Sequence, residues 1–123
     1  MFLENEMRLS WINGLNDEKY HIYFINSYQK LFARIYKSEV KCIKTNYLNK
    51  NYYLPIILRK LKNNNYEAFS SYGYGGFIGE QTKFSEIQIQ ALNKFLSKHN
   101  IHSLFIRNSP FLENHNFWPN NII

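Results

Sequence analysis

A chain of 123 residues, 45% hydrophobic and 18% aromatic with 20% charged, is long enough to bury one core and too apolar to remain unfolded, so a single globular domain is expected. No run approaches the ~20 apolar residues of a membrane span, and residues 1–6 lack the basic start and apolar stretch of a signal peptide, so the expected location is the cytoplasm. The net charge of +6 is unevenly placed: residues 1–18 carry −3, residues 19–62 carry +9 and residues 63–123 carry zero. A basic band of this kind suits nucleic acid, anionic headgroups or a phosphate-bearing substrate as well as an ordinary solvated surface.

In chain order, the first ~20 residues show weak periodicity, and Gly14 and Asn16 among acidic neighbours predict an irregular or short helical lead-in. Tyr28, Leu31, Phe32 and Ile35 recur at i, i+3, i+4 and i+7 behind Asn26 or Ser27 as N-cap, which predicts a helix over residues 27–36 with those four on its apolar face. Residues 40–48 and 52–61 are rich in β-branched and aromatic side chains and flank Asn49-Lys50-Asn51, so they read as a hairpin. Cys42, the single cysteine, excludes an internal disulfide and reads as a structural strand residue. Pro55 has no N–H, and must sit where the second strand lacks a partner or at a bulge. After the polar turn at residues 62–65, residues 66–72 complete an antiparallel meander.

Four of the five glycines fall between Gly73 and Gly79. Ser85 then caps a helix carrying Ile87, Ala91, Leu92, Phe95 and Leu96, and residues 103–107 form a short strand. A helix between two strands makes a crossover, so the last strand is expected parallel to the third. The result is an α+β or α/β fold: a mixed sheet, antiparallel meander then parallel strand, with helices packed on it.

Two segments stand out chemically. In Ser70-Ser71-Tyr72-Gly73-Tyr74-Gly75-Gly76-Phe77, glycines alternate with tyrosines, so the backbone can approach a ligand closely beside stacking rings; a glycine turn with tyrosines packed on the sheet accounts for the same pattern. Arg107-Asn108-Ser109-Pro110-Phe111-Leu112-Glu113-Asn114-His115 follows the last strand, and ligands of open α/β sheets gather at the carboxyl ends of parallel strands. Arg107 suits a bidentate grip on phosphate or carboxylate, or an ordinary surface ion pair. No His or Cys pair has metal-ligand spacing, no catalytic triad has a signature, and the nine carboxylates are scattered, which leaves hydrolase and metalloenzyme readings without support.

These two blocks, with Tyr53-Leu54-Pro55-Ile56-Ile57-Leu58 before them, resemble the N-terminal region of Fem-like acyltransferases of the GNAT superfamily over residues 20–118. The resemblance implies transfer of an acyl or aminoacyl group to an amine on a small-molecule, cell-wall or sugar-nucleotide precursor, as in peptidoglycan bridge synthesis. Acyl-CoA or aminoacyl-tRNA would be the donor, with no metal, and tRNA would be the one nucleic acid involved. It also implies an incomplete GNAT-like lobe: the chain looks like a truncated or split product that binds the donor weakly alone and completes its site with a second lobe, supplied as a separate chain or by homo-oligomerisation. The candidate substrate-binding residues are Ser71, Tyr72, Gly73, Tyr74, Gly75, Gly76, Arg107, Ser109, Pro110, Asn114 and His115. The superfamily's pyrophosphate motif is matched only at Gly73 and Gly75, with Ser70 in the Arg/Gln place, so this loop is not assigned to CoA. The competing readings are a non-catalytic assembly module using an open sheet edge and a small basic protein that binds single-stranded nucleic acid on tyrosine platforms.

Overall fold

The computed structural model describes residues 7–12, 26–35, 37–70, 75–80, 82–108 and 114–119. Within them the order is β1 (Arg8–Ile12), α1 (Asn26–Ile35), β2 (Glu39–Tyr47), β3 (Lys50–Lys60), β4 (Tyr66–Phe69), α2 (Glu86–Lys98) and β5 (Ile101–Phe105), with short 3-10 turns at Lys62–Asn64 and Asn114–Phe117. The five strands form one sheet in the order β1-β2-β3-β4-β5. The first three pairings are antiparallel, and β4 with β5 is parallel across the α2 crossover. This is the mixed α+β architecture expected.

The N-terminal expectation needs correcting. Arg8–Ile12 is not an irregular lead-in but an edge strand, paired residue by residue with Ile12↔Cys42 through Arg8↔Asn46. Five residues are too few for a period-2 signal to stand out among acidic neighbours. Leu9 and Trp11 nonetheless alternate onto the core face, where Trp11 meets Phe95 and His99 of α2 at ring-centroid distances of 5.0 and 5.3 Å.

The helix expected over residues 27–36 forms as Asn26–Ile35, but Leu31 of its expected apolar face turns outward; the side chains of Tyr28, Phe32 and Ile35 lie outside the described residues. Gln29 and Ala33 are buried while Leu31 is 57% exposed. At 100° per residue Leu31 lies nearly opposite the Gln29/Ala33 pair, so α1 turns this i, i+4 pair inward rather than Leu31. Its C-terminus closes with a Schellman arrangement: Ser38 N–H donates to Ala33 O at 2.7 Å and Lys37 N–H to Arg34 O at 3.2 Å. Lys37 takes the left-handed position at φ 52°, a place that glycine ordinarily fills.

The hairpin turn is Leu48-Asn49, both at positive φ (52° and 61°), the geometry of a two-residue turn matched to strand twist. Lys50 and Asn51 are therefore strand residues, not turn. On β3, Tyr53 exchanges backbone hydrogen bonds with Ile78 at 2.9 and 2.8 Å, on the side where β4 pairs only from Ile57 onward. Pro55 shares that hydrogen-bonding direction, so its missing N–H faces the gap between Phe69 and Ile78, as its chemistry requires.

Strand parity divides the sheet. Ile43, Leu54, Ile56, Leu58 and Ala68 face α2, whose Ile89, Leu92 and Leu96 complete the main core. Cys42 and Ile57 fall on the other face and are fully buried; α1 packs against β2 there. Burial pushes the Cys42 thiol up to about 12, so it is an inert core residue. Helix α2 starts at a capping box in which Ser85 N–H donates to Gln88 Oε1 at 2.6 Å and Gln88 N–H returns to Ser85 Oγ. No described helix is long and apolar enough to cross a membrane.

Candidate functional site at the β4 and β5 strand tips

Strands β4 and β5 are both shorter or earlier than their sequence suggests, and the reason lies in how their tips are joined. At the end of β4, Ser70 N–H donates to Phe105 O at 2.9 Å as part of the parallel ladder, and its hydroxyl accepts from Arg107 N–H at 3.0 Å. β5 begins at Ile101, directly after Asn100 reverses the chain at φ 61°. Beyond β5 the parallel pairing resumes in a shifted register, from Phe69↔Phe105 to Gly75↔Asn108, with Gly75 N–H donating to Arg107 O at 2.6 Å.

The two chemically distinctive segments thus meet. Asn114 closes the junction, donating from Nδ2 to Gly75 O at 2.7 Å and Phe77 O at 3.3 Å, and it is 1% exposed. Both glycines serve close approach of protein to protein. A Cβ on Gly75 would stand 2.3 Å from Ser70 Cβ, and one on Gly76 would stand 2.4 Å from Asn108 Oδ1 and 2.6 Å from Asn114 Nδ2. Gly76 also has φ 104°, which an L side chain rarely adopts. An aromatic cluster anchors the junction to the sheet: Phe77 meets Phe84 at 5.0 Å, Phe117 at 5.9 Å and Trp118 at 5.2 Å, while Tyr52 of β3 meets Phe84 edge-on at 5.3 Å. Such rings each contribute burial of roughly 2–3 kcal/mol plus edge-to-face attraction.

Beside this junction runs a groove of ≈ 850 Å³ between α2 and the edge strand β5. Leu92 and Leu96 on one side and Leu104 and Ile106 on the other line it together with the polar Asn93, Ser97, His102 and Ser103, and Asn108, His115 and Trp118 stand at its tip end. Two polar atoms there, Asn108 Oδ1 and Trp118 Nε1, are buried without a hydrogen-bond partner. An unpartnered buried acceptor and donor beside a cleft are the kind of groups that orient a ligand.

Of the predicted residues, Gly75, Gly76, Arg107 and Asn114 are brought together at the junction, and His115 is exposed on the groove. Asn114 directs its amide at main-chain carbonyls rather than at the groove, and Arg107 is exposed with its backbone tied into the junction. Ser71, Tyr72, Gly73, Tyr74, Ser109 and Pro110 lie outside the described residues. Asn108 and Trp118 were not among the predicted residues. The only signal for them was position, since each lies next to a predicted residue or in the aromatic run Phe117-Trp118-Pro119. Among the described residues no group of three or more His, Cys, Asp or Glu side chains is placed to hold a metal ion. No protein-family model, curated protein or solved structure matches this chain.

Proposed function

We propose that the chain is the acceptor-side part of an N-acyltransferase of the Fem-like GNAT kind, holding an amine-bearing precursor in the groove between α2 and β5. The observation that carries this reading is the unpartnered buried acceptor Asn108 Oδ1 at the groove's tip end, beside the junction of Gly75 and Gly76 with Arg107, Asn108 and Asn114. A buried carbonyl oxygen without a partner favours an N–H donor, as a primary amine supplies. The exposed His115 imidazole beside it is of a type that takes the proton released when the amine attacks an acyl carbonyl. The transfer itself needs position more than reactive side chains. Acyl-CoA or aminoacyl-tRNA would be the donor, with a second lobe completing its site.

The test is transfer of label from acetyl-CoA or an aminoacyl-tRNA to sugar-nucleotide and peptide amines, with Trp118 fluorescence reporting acceptor binding. Acceptor binding that is lost in Asn108→Leu supports the reading. Groove binding indifferent to an amine, or equal in Asn108→Leu, refutes it.

A second reading, a non-catalytic assembly module, is favoured by one separate observation: β5 is the sheet edge, and its Phe105 is 71% exposed. Association abolished by Phe105→Lys with no acceptor binding would select it over the first.

A further inference from the structure

We propose that the free edge of β5 is the two-fold interface of a homodimer, in which a second copy of this chain adds its own β5 antiparallel and the two five-stranded sheets become one. Among the described strands β5 pairs on one side only. Phe105 and Arg107 direct their backbone toward β4 and its extension: Phe105 O accepts from Ser70 N–H, Arg107 N–H donates to Ser70 Oγ, and Arg107 O accepts from Gly75 N–H. Successive residues of a strand point their N–H and C=O to opposite sides. Leu104 and Ile106 therefore present theirs outward, and among the described residues no hydrogen bond meets them there.

Two features mark a pairing edge rather than a protected one. Ile101-His102-Ser103-Leu104-Phe105-Ile106 holds no Lys, Pro, Asp or Glu, the residues that ordinarily blunt an edge against a further strand. Register also lines up Ile57, Phe69 and Phe105 across the face opposite α2. Ile57 at one end of this row is fully buried and Phe105 at the other is 71% exposed, so the apolar row runs off the sheet until another strand continues it.

The occupant that fits is the same segment turned about a two-fold axis. With Phe105 opposite Phe105 of the second copy as a non-hydrogen-bonded pair, Leu104 of each copy exchanges backbone hydrogen bonds with Ile106 of the other, and Ser103 faces Arg107. Cross-strand aromatic pairs stabilise a sheet and like charges directly opposite destabilise it. This register supplies the first and avoids the second at every pair from residue 103 to residue 107, and the second copy carries the matching row by identity. The proposal deepens the assembly reading above and rests on it. The groove reading stands on amine binding and Asn108→Leu, so a monomeric chain leaves that reading to its own assay.

Sedimentation equilibrium of the full chain across the micromolar range tests it: the mass should rise with concentration from 14.9 kDa to twice that value and no further. Phe105→Lys sets two cations opposite each other across the axis and should weaken association about tenfold or more. Ile87→Lys, on α2 and also well exposed at 75%, should leave it unchanged. Amide hydrogen exchange reads the register. Protection should grow with concentration at Leu104 and Ile106, whose N–H groups face outward, and stay constant at Arg107, whose N–H is already held by Ser70. A monomer at every concentration overturns the proposal, even if Phe105 then proves to bind a different protein and the assembly reading survives. Growth beyond the dimer, equal weakening in Phe105→Lys and Ile87→Lys, or unchanged exchange at Leu104 and Ile106 overturns it as well.

Discussion

Replacing Gly76 with alanine probes the junction that the site depends on. At φ 104° a Cβ crowds its own backbone, at a cost of about 1–2 kcal/mol by comparison with left-handed L residues. The added methyl would also stand 2.4 Å from Asn108 Oδ1 and 2.6 Å from Asn114 Nδ2, so Asn114 must withdraw. That breaks its bonds to the Gly75 and Phe77 carbonyls where water does not reach, which costs about 1–3 kcal/mol. The sum, about 2–5 kcal/mol, is a large share of the ~5–15 kcal/mol that holds an ordinary domain together. Urea unfolding reads it as a lower midpoint at unchanged slope. Asn114→Ala alone should cost about 2 kcal/mol, and the double variant should cost less than the two singles added, because the Asn114 bonds are lost only once. A Gly76→Ala loss below about 1 kcal/mol, or additivity to within ~0.3–0.5 kcal/mol, would refute the account.

Three further outcomes follow from single positions. Thr45 is fully buried with Oγ1 lacking a partner, so Thr45→Val should stabilise by about 1 kcal/mol in the same urea assay. Lys37 sits at φ 52° in the Schellman position after α1, and Lys37→Gly should raise stability by ~0.5–1 kcal/mol, read as a higher thermal midpoint. With Cys42 held at about 12 against 9.0, the unfolded chain sheds the thiol proton first as pH rises. Stability should therefore fall above pH 9, by up to about 1.4 kcal/mol per pH unit until about pH 12. Cys42→Ala should lack this component when unfolding is followed from pH 8 to 10.5.

Much of the fold was legible because its signals are local. Ser85 and Gln88 announce α2 through a capping box that needs only their spacing, and the apolar run of β3 is buried on both faces and so reads as strand regardless of neighbours. The signals failed where the answer depended on what lay opposite. Leu31 has the periodicity of a buried residue, yet the sheet below takes Gln29 and Ala33 instead. Arg8–Ile12 becomes a strand only because β2 offers it an edge. At the candidate site, glycine clustering was read as room for a ligand, whereas Gly75 and Gly76 make room for neighbouring protein atoms. That the approach at Gly76 is to Asn108 and Asn114 rests on contacts between residues 32 and 38 positions apart, which no local pattern contains.

By itself, then, the amino-acid sequence determined the order of most elements, the parallel return of the last strand, the inert character of Cys42 and the tolerance of Pro55, because each follows from backbone chemistry within a few residues. Tertiary structure alone decided that Leu31 of α1 turns outward, which glycine contacts are internal, and where unpartnered buried polar atoms remain: Asn108 Oδ1 and Trp118 Nε1 beside the groove. The physical reason is that hydrogen-bond satisfaction and burial are properties of pairs. Partners distant in sequence are chosen by the sheet register and the crossover, not by either residue alone.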